Sequence, residues 1–99
     1  MLFALTITYS AENRDAIVQR FAAVAGEDEL PAGVRWVGRY HSPATRWGCV
    51  IFETSSVTPI HLWCAKYNDL CDAEIHPVET DDTVGPVVEA LLTSINEAK

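Results

Sequence analysis

The sequence predicts one α+β domain whose elements follow the order βαββαβ, with a further helix at the C-terminus. Four extended runs rich in β-branched and aromatic residues alternate with amphipathic segments in that order. The chain has 99 residues, 48% of them hydrophobic and 21% charged, which are the size and composition of an ordinary globular domain. We therefore expect a single domain over residues 1–99, without a linker or an internal repeat.

The first strand covers Leu2–Tyr9, where apolar side chains alternate with smaller or polar ones. A helix follows, for which Ser10 can supply the N-cap and Gly26 the end. Its apolar residues recur at the i, i+4, i+7 spacing of a buried stripe and are Ile17, Phe21 and Val24. Both elements should therefore present one apolar face to a core.

The next two strands are predicted to pair as a hairpin. Pro31 and Gly33 break regular structure within the loop at 27–33, and the second strand then covers Val34–His41. A short run of turn-forming residues leads into the third strand, Trp47–Glu53. Because the connection is short, the two strands should be antiparallel neighbours.

A second helix is predicted after the hairpin, with its N-cap at Ser55, Ser56 or Thr58 and its end at 68–69. Pro59 fits the first turn, where a missing N–H costs little. The buried stripe follows the i, i+3, i+4, i+7 spacing and consists of Ile60, Trp63, Cys64 and Tyr67. Core packing is therefore the expected role of these aromatic residues.

The last strand, Cys71–Glu79, is more polar, and Pro77 removes one ladder donor, which places the strand at an edge of the sheet. The C-terminal helix is strongly amphipathic, with Thr83 as the expected cap and Pro86 in its first turn. Its apolar stripe comprises Val84, Val87, Val88, Leu91, Leu92 and Ile95.

This element order is that of the ferredoxin-like antiparallel sheet, in which the first and third strands are central and the second and fourth lie at the edges. Helices cover one face of such a sheet, yet the third strand is apolar on both faces at residues 49–52. Either the C-terminal helix of the same chain or a second copy must cover the other face. We expect a homodimer that forms an α/β barrel, with the last helix aiding the contact.

Several classes of partner are disfavoured by composition. The formal net charge of -7 opposes binding to nucleic acid and to anionic membrane surfaces. The apolar run at 48–52, like every other apolar run in the sequence, is far short of the roughly 20 residues that span a bilayer. The N-terminus lacks the basic segment of a signal peptide, so we expect a cytoplasmic protein.

Cofactor and metal chemistry is not expected. The three cysteines, Cys49, Cys64 and Cys71, leave one thiol unpaired under any disulfide scheme and suit small buried positions. His61 lies one helical turn from Cys64, but only Cys64 belongs to the buried stripe, so the two should not converge on a metal ion. No phosphate-cradling glycine loop and no nucleophile elbow occurs.

The stretches at residues 31–34, 38–41 and 63–78 read PAGV, GRYH and WCAKYNDLCDAEIHPV. Together they resemble the pattern of an uncharacterised bacterial domain-of-unknown-function family in the dimeric α/β-barrel group, over residues 1 to 80. The resemblance implies the ferredoxin-like fold and a homodimer, and it implies no catalytic residue, because that family has no established activity. Where the family usually has an aromatic residue after the Asp that opens its last strand, this chain has Ala73, which either widens a pocket or is repacked.

The most suggestive candidate site combines two edge strands. Alternation predicts that Arg35, Arg39 and His41 share one face of the second strand, and that Glu74 and His76 share one face of the fourth. If both faces line one cavity, His41 and His76 are the expected catalytic acid and base. Polar residues of edge strands also commonly face water and deter edge pairing, and the sequence leaves this alternative open.

Three residues complete the candidate site as ligand-binding groups: Arg39, Glu74 and Trp47. An arginine suits a small anionic molecule, and Trp47, beside the hairpin turn, suits a pocket mouth or a dimer contact. The leading hypothesis is therefore a small-ligand-binding protein or a cofactor-free acid–base enzyme that uses the barrel cavity for an anionic or aromatic molecule. The alternative is a protein-interaction or regulatory module with a solid interior and no catalysis.

Overall fold

The structure is a computed structural model and describes residues 1–24 and 30–98. The predicted end of the first helix at Gly26, the first part of the loop at 27–33 and the side chain of Val24 lie outside the described part. The elements are β1 (Leu2–Thr8), α1 (Arg14–Val24), β2 (Arg35–Ser42), β3 (Trp47–Glu53), α2 (Thr58–Cys64), β4 (Asp72–Val78) and α3 (Gly85–Glu97). A short 3₁₀ turn, Pro43–Thr45, joins β2 to β3.

The four strands form one antiparallel sheet in the order β2-β3-β1-β4. The predicted ferredoxin-like fold is confirmed, with β1 and β3 in the centre and β2 and β4 at the edges. Leu5 illustrates the register, because it pairs with Val50 on one side and with Ile75 on the other. Side chains of directly paired residues project from the same face of the sheet, so each row of the register also defines a face.

The two faces of the sheet differ in what covers them. On the covered face, Phe3, Leu5, Val50 and Phe52 pack with residues of α1 and α2. Leu5, Phe52 and the α2 residue Ile60 are fully buried, with 0% of their surface exposed. The open face carries alternate residues of the same strands, and its apolar centre consists of Ala4, Cys49 and Ile51. As predicted, β3 is therefore apolar on both faces.

An aromatic cluster forms the middle of the core. The ring of Trp36 stacks on Phe52 at 4.9 Å between centroids, and the edge of Trp63 contacts both rings. Tyr67 packs on Trp63 at 5.1 Å between centroids. The predicted core role of Trp63 and Tyr67 is confirmed, since only 3% and 4% of their surfaces are exposed.

A β-bulge in β2 corrects one prediction about faces. The register shifts directly after Trp36, so that Val37 is an extra residue relative to β3. An extra residue inverts the alternation of all side chains beyond it. Arg39 and His41 therefore lie on the covered face while Arg35 lies on the open face, and the prediction that all three share a face is wrong.

The helix termini also differ from the sequence expectations. The Ser10 hydroxyl accepts a hydrogen bond from the Asn13 N–H at 3.2 Å, but this bond closes a turn that precedes α1. Thr83 Oγ1 likewise accepts a bond from the Thr80 N–H at 3.0 Å, and the N-cap of α3 is Val84. Ser and Thr side chains stabilise turns as readily as caps, which explains both errors.

The second helix is shorter than expected. Its N-cap is Val57, which makes no side-chain cap bond, and Pro59 lies in the first turn as predicted. The α-helix ends at Cys64, and the chain continues in turns to Leu70 rather than in helix to 68–69. These turns keep the Tyr67 side chain in the core.

One ion pair ties α1 to the turns after α2. The Arg20 guanidinium binds both carboxylate oxygens of Asp69 and also donates to the Lys66 carbonyl oxygen at 3.0 Å. The hydrogen bond from Arg20 holds the pKa of the Asp69 carboxyl below its ordinary value of 3.8. The pair is solvent-exposed, so its contribution to stability should be small.

We expect this ion pair to contribute to the loss of stability at acid pH. Because the pKa of Asp69 is lower in the folded chain than in the unfolded chain, its stabilisation is fully present above pH 4, approximately, and is lost as the pH falls through the folded value. In urea titrations repeated at decreasing pH, Asp69→Asn should make the free energy of unfolding fall less steeply with pH than in the wild type. Arg20→Gln should have the same effect, and an unchanged pH dependence in that variant would contradict the ion pair as the cause.

The C-terminal helix does not cover the open face of its own chain. Every residue of α3 is exposed, and the molecule is elongated, with principal extents of 54 × 30 × 19 Å. Its radius of gyration, 16.9 Å, exceeds the roughly 13 Å expected for a compact chain of this length. None of the helices in the described ranges combines the length and apolarity that crossing a membrane requires.

Candidate functional site

A cavity of about 230 Å³ lies between α1 and the hairpin end of the covered face, and we call it the α1 cavity. Its lining includes six aromatic residues, Tyr9, Phe21, Tyr40, Trp47, Trp63 and Tyr67, of which Tyr40 and Trp47 belong to open-face rows of the register and border the cavity at its hairpin end. The remaining lining residues are Ile7, Ile17, Val18, His41, Pro43, Gly48, Cys49 and Val50. The cavity is therefore mainly apolar and aromatic, with one histidine on its wall.

Gly48 explains why there is space at this end of the sheet. It lies between Ile7 and His41 in one row of the register, on the covered face. A side chain here would enter the cavity, yet a Cβ atom would meet only the Tyr40 carbonyl oxygen at an ordinary 3.5 Å. The missing side chain leaves a gap that α1 bridges.

Arg39 and His41 are both held by an aromatic ring of α1. The Arg39 guanidinium lies 4.5 Å from the ring centroids of Phe21 and of Trp36, within cation–π range of both. The His41 ring meets Phe21 edge-on, with centroids 5.3 Å apart. His41 and Trp47 line the cavity, and Arg39 lies behind its Phe21 wall.

His76 and Glu74 lie elsewhere. His76 pairs with Ala4, which places it on the open face, and its Nε2 atom lies 3.3 Å from a Glu74 carboxylate oxygen. His41 is on the covered face of the opposite edge strand, which lies three strand spacings or roughly 14 Å from β4, and its row of the register meets β4 at Ala73, not at His76. One chain therefore does not bring the two histidines together, and their catalytic roles stay predictions.

Trp63 contributes a polar atom that the sequence interpretation missed. Its indole Nε1 is buried and has no hydrogen-bond partner among the described residues. A buried tryptophan N–H is normally paired, and an unpaired one is uncommon in a folded protein. The stripe of α2 predicts a buried Trp63, but no sequence signal says which acceptor its N–H meets.

A second cavity, of about 540 Å³, lies between α2 and β4, and we call it the α2 cleft. Ala73 lines it together with His61 and Asp72, so the small residue at this position faces a pocket. Cys64 and Cys71 also line the cleft. In the described ranges, no three His, Cys, Asp or Glu side chains are placed to hold a metal ion.

The thiols of this cleft are poor nucleophiles. Burial raises the pKa of the Cys64 thiol to about 11 and also raises that of Cys71. The Cys71 thiol donates to the Tyr67 carbonyl oxygen at 3.3 Å. Both thiols are therefore protonated at neutral pH and act as buried packing groups.

Sheet order, helix placement and the aromatic-lined α1 cavity define this chain as a ferredoxin-like α+β domain. The chain belongs to the family described as Domain of unknown function (DUF3303), whose pattern matches residues 1–92. This match confirms the family resemblance that the sequence motifs indicate. No curated protein matches the sequence.

Two solved structures are similar to the chain in outline. One is SCO4226 from Streptomyces coelicolor A3(2), with 17% identity, a TM-score of 0.45, and coverage of 80% of this chain and 98% of that one. The other is a Deinococcus radiodurans protein assigned provisionally to the antibiotic biosynthesis monooxygenases, with 10% identity, a TM-score of 0.47, and coverage of 81% and 94%. Activity does not transfer at such identities.

Proposed function

We propose that the protein binds a small aromatic molecule that carries an oxygen acceptor, and that the α1 cavity is the binding site. The observation that carries the proposal is the Trp63 indole N–H, buried in a residue of the cavity wall and bonded to no described residue. Leaving such a donor unpaired costs roughly 1–3 kcal/mol, which a ligand oxygen brought within hydrogen-bond distance of it would recover. The aromatic wall offers stacked and edge-on contacts to a ring.

The size and charge of the cavity narrow the class of ligand. Its volume of about 230 Å³ is below the range of roughly 300–1,000 Å³ typical of drug-sized ligands, which favours a molecule of one or two rings. The Arg39 guanidinium behind Phe21 adds positive charge next to the cavity. A phenol-like or carboxylate oxygen would suit the Trp63 N–H, and the nearby charge of Arg39 would favour a ligand with partial or full negative charge.

Acid–base catalysis would be a further step in the same cavity. His41 lines the wall and is exposed, so its ring is open both to the cavity and to solvent. As a general acid or base it would need a substrate atom at about 3 Å, and it would need no cofactor.

A cytoplasmic location remains a prediction from the sequence.

The test is calorimetric titration with 2-naphthol, an aromatic probe with one hydroxyl group, and with naphthalene as the matched probe without it. We expect 2-naphthol to bind roughly fivefold more tightly, the value of one neutral hydrogen bond. Gly48→Val should weaken 2-naphthol roughly tenfold or more, because its side chain fills the cavity without a backbone clash.

Ala73→Val is the matched control, since it adds apolar volume to the α2 cleft instead. Its affinity for 2-naphthol should equal that of the wild type. Equal binding by wild type and Gly48→Val would refute the α1 cavity as the site. Loss of binding in Ala73→Val alone would assign the ligand to the α2 cleft.

A second candidate function, an interaction module, is favoured by a different observation. Five large apolar side chains of α3 are between 44% and 57% exposed, and an apolar stripe of this kind usually marks an interaction surface. The two functions use different parts of the molecule and are compatible with each other.

A further inference from the structure

We infer that the α1 cavity selects uncharged aromatic ligands over aromatic carboxylates, and that Phe21 sets this selectivity by separating the Arg39 guanidinium from the cavity. The inference rests on the proposed function, because it concerns the ligand class of the same site. With the guanidinium open to the cavity, an aromatic carboxylate would be the expected ligand, since arginine binds carboxylates through two parallel hydrogen bonds. Phe21 is therefore a specificity-determining residue.

The ring of Phe21 lies between the cavity and the charge of Arg39. Phe21 lines the cavity, and its ring centroid is 4.5 Å from the Arg39 Cζ atom. Arg39 pairs with Val50, which also lines the cavity, so the guanidinium belongs to the same part of the covered face. Among the described residues, however, Arg39 itself is not part of the lining. The Phe21 side chain therefore stands between the cation and a bound ligand.

The position of Phe21 on α1 explains how its ring reaches β2. Phe21 follows Ile17 by four residues, so the two side chains lie on the same face of the helix, and Ile17 is buried in the core. The neighbouring residue, Arg20, binds Asp69 in the turns after α2. Because the helix is held over the sheet at both residues, the backbone at Phe21 is fixed in place.

The lining itself offers a carboxylate no permanent counter-ion. In the described part of the chain it includes no Lys, Arg, Asp or Glu, and His41 is the one residue among the lining residues whose side chain can become positive. A carboxylate that enters such a site loses several hydrogen bonds to water, and the Trp63 N–H replaces one of them. An uncharged oxygen loses less, so the same donor compensates it better.

The charge of Arg39 attracts a carboxylate, but from behind the ring it does not replace these lost hydrogen bonds. A guanidinium compensates a buried carboxylate when its N–H groups donate directly to the two oxygens. With Phe21 in place, the ring occupies the space that such a contact needs. Without the ring, Arg39 has five donors, enough to bind a carboxylate alongside its present contacts.

Calorimetric titration with two probes of the same shape tests the inference: 2-naphthoate, which is ionised at about pH 8, and 2-naphthamide, its uncharged analogue. We expect the wild type to bind 2-naphthamide roughly tenfold or more tightly than 2-naphthoate. Phe21→Ala should bind 2-naphthoate roughly tenfold more tightly than the wild type does, the value of one hydrogen bond to a charged group. In Phe21→Ala combined with Arg39→Gln, this gain should disappear.

Two further variants separate shielding from a general loss of the wall. Phe21→Leu keeps a large apolar side chain and should keep the wild-type preference for 2-naphthamide. Val18→Ala truncates another lining residue of α1 and should change both affinities by the same factor. Phe21 is half-buried and is not among the residues of the described core cluster, so Phe21→Ala should fold. Phe21→Val, a smaller truncation, provides the same test if urea titration shows that it does not.

Equal binding of the two probes by the wild type would overturn the inference and leave the α1 cavity as the site. The same conclusion follows if 2-naphthoate gains no affinity when Phe21 is truncated, or if its gain persists after Arg39→Gln. Failure of 2-naphthol and of both matched probes to bind the wild type would overturn the proposed function and the inference with it.

Discussion

Phe52→Ala is expected to lower the free energy of unfolding by about 3–5 kcal/mol, the largest effect we predict for a single substitution. Phe52 is 0% exposed and lies at the centre of the aromatic cluster, stacked on Trp36 and in edge contact with Trp63. Truncation removes the ring from both neighbours and leaves a cavity between the central strand and α2. Close-packed neighbours relax only partly into such a cavity.

Urea unfolding followed by tryptophan fluorescence measures this loss, at one fixed protein concentration because association would add to apparent stability. Leu62→Ala is the control, since its side chain is 64% exposed and its loss should stay within about 0.5 kcal/mol. A loss below about 1 kcal/mol in Phe52→Ala would mean that the cluster can repack around the missing ring.

The strands could be predicted well because their signals are local. Trp47–Glu53 has the predicted bounds, since turn residues precede it and its alternate residues are apolar on both faces. The polar composition of the second and fourth strands places them at the edges, as observed. Hydrophobic patterning reports burial directly, so it predicts the sheet order of this fold.

The candidate site could be predicted only in part, because it depends on register. The bulge after Trp36 moves Arg35 to the other face, and Gly38 in the strand is the one local sign of such an irregularity. Whether His41 and His76 meet depends on three successive strand pairings, whose registers no local pattern encodes. By contrast, His41 and Trp47 come together because both flank one hairpin turn.

The two features that the sequence interpretation missed are each defined by a group that is lacking, not by a residue type with recognisable chemistry. Gly48 matters because it lacks a side chain between Ile7 and His41, and the Trp63 N–H matters because it lacks an acceptor. A glycine in a strand interior, which has no side chain to pack, indicates open space beside the strand. An unpaired N–H becomes visible only when all neighbours are placed.

Ile17→Ala is expected to lower the free energy of unfolding by about 2–5 kcal/mol. Ile17 is 8% exposed and brings α1 into the core cluster, and Asn13 Nδ2, just before α1, donates a hydrogen bond to the Leu70 carbonyl oxygen at 3.2 Å. Val18→Ala is the matched control on the same helix, since Val18 is 53% exposed, and its change should stay within about 0.5 kcal/mol.

The same variant also tests whether α1 forms the wall of a binding site. Ile17 lines the α1 cavity, so its truncation removes wall contacts and should weaken 2-naphthol as well as the fold. Both losses are expected together, with the affinity measured well below the unfolding midpoint so that the folded state dominates. A destabilised Ile17→Ala that binds 2-naphthol with wild-type affinity would show that α1 anchors the fold while the ligand lies elsewhere.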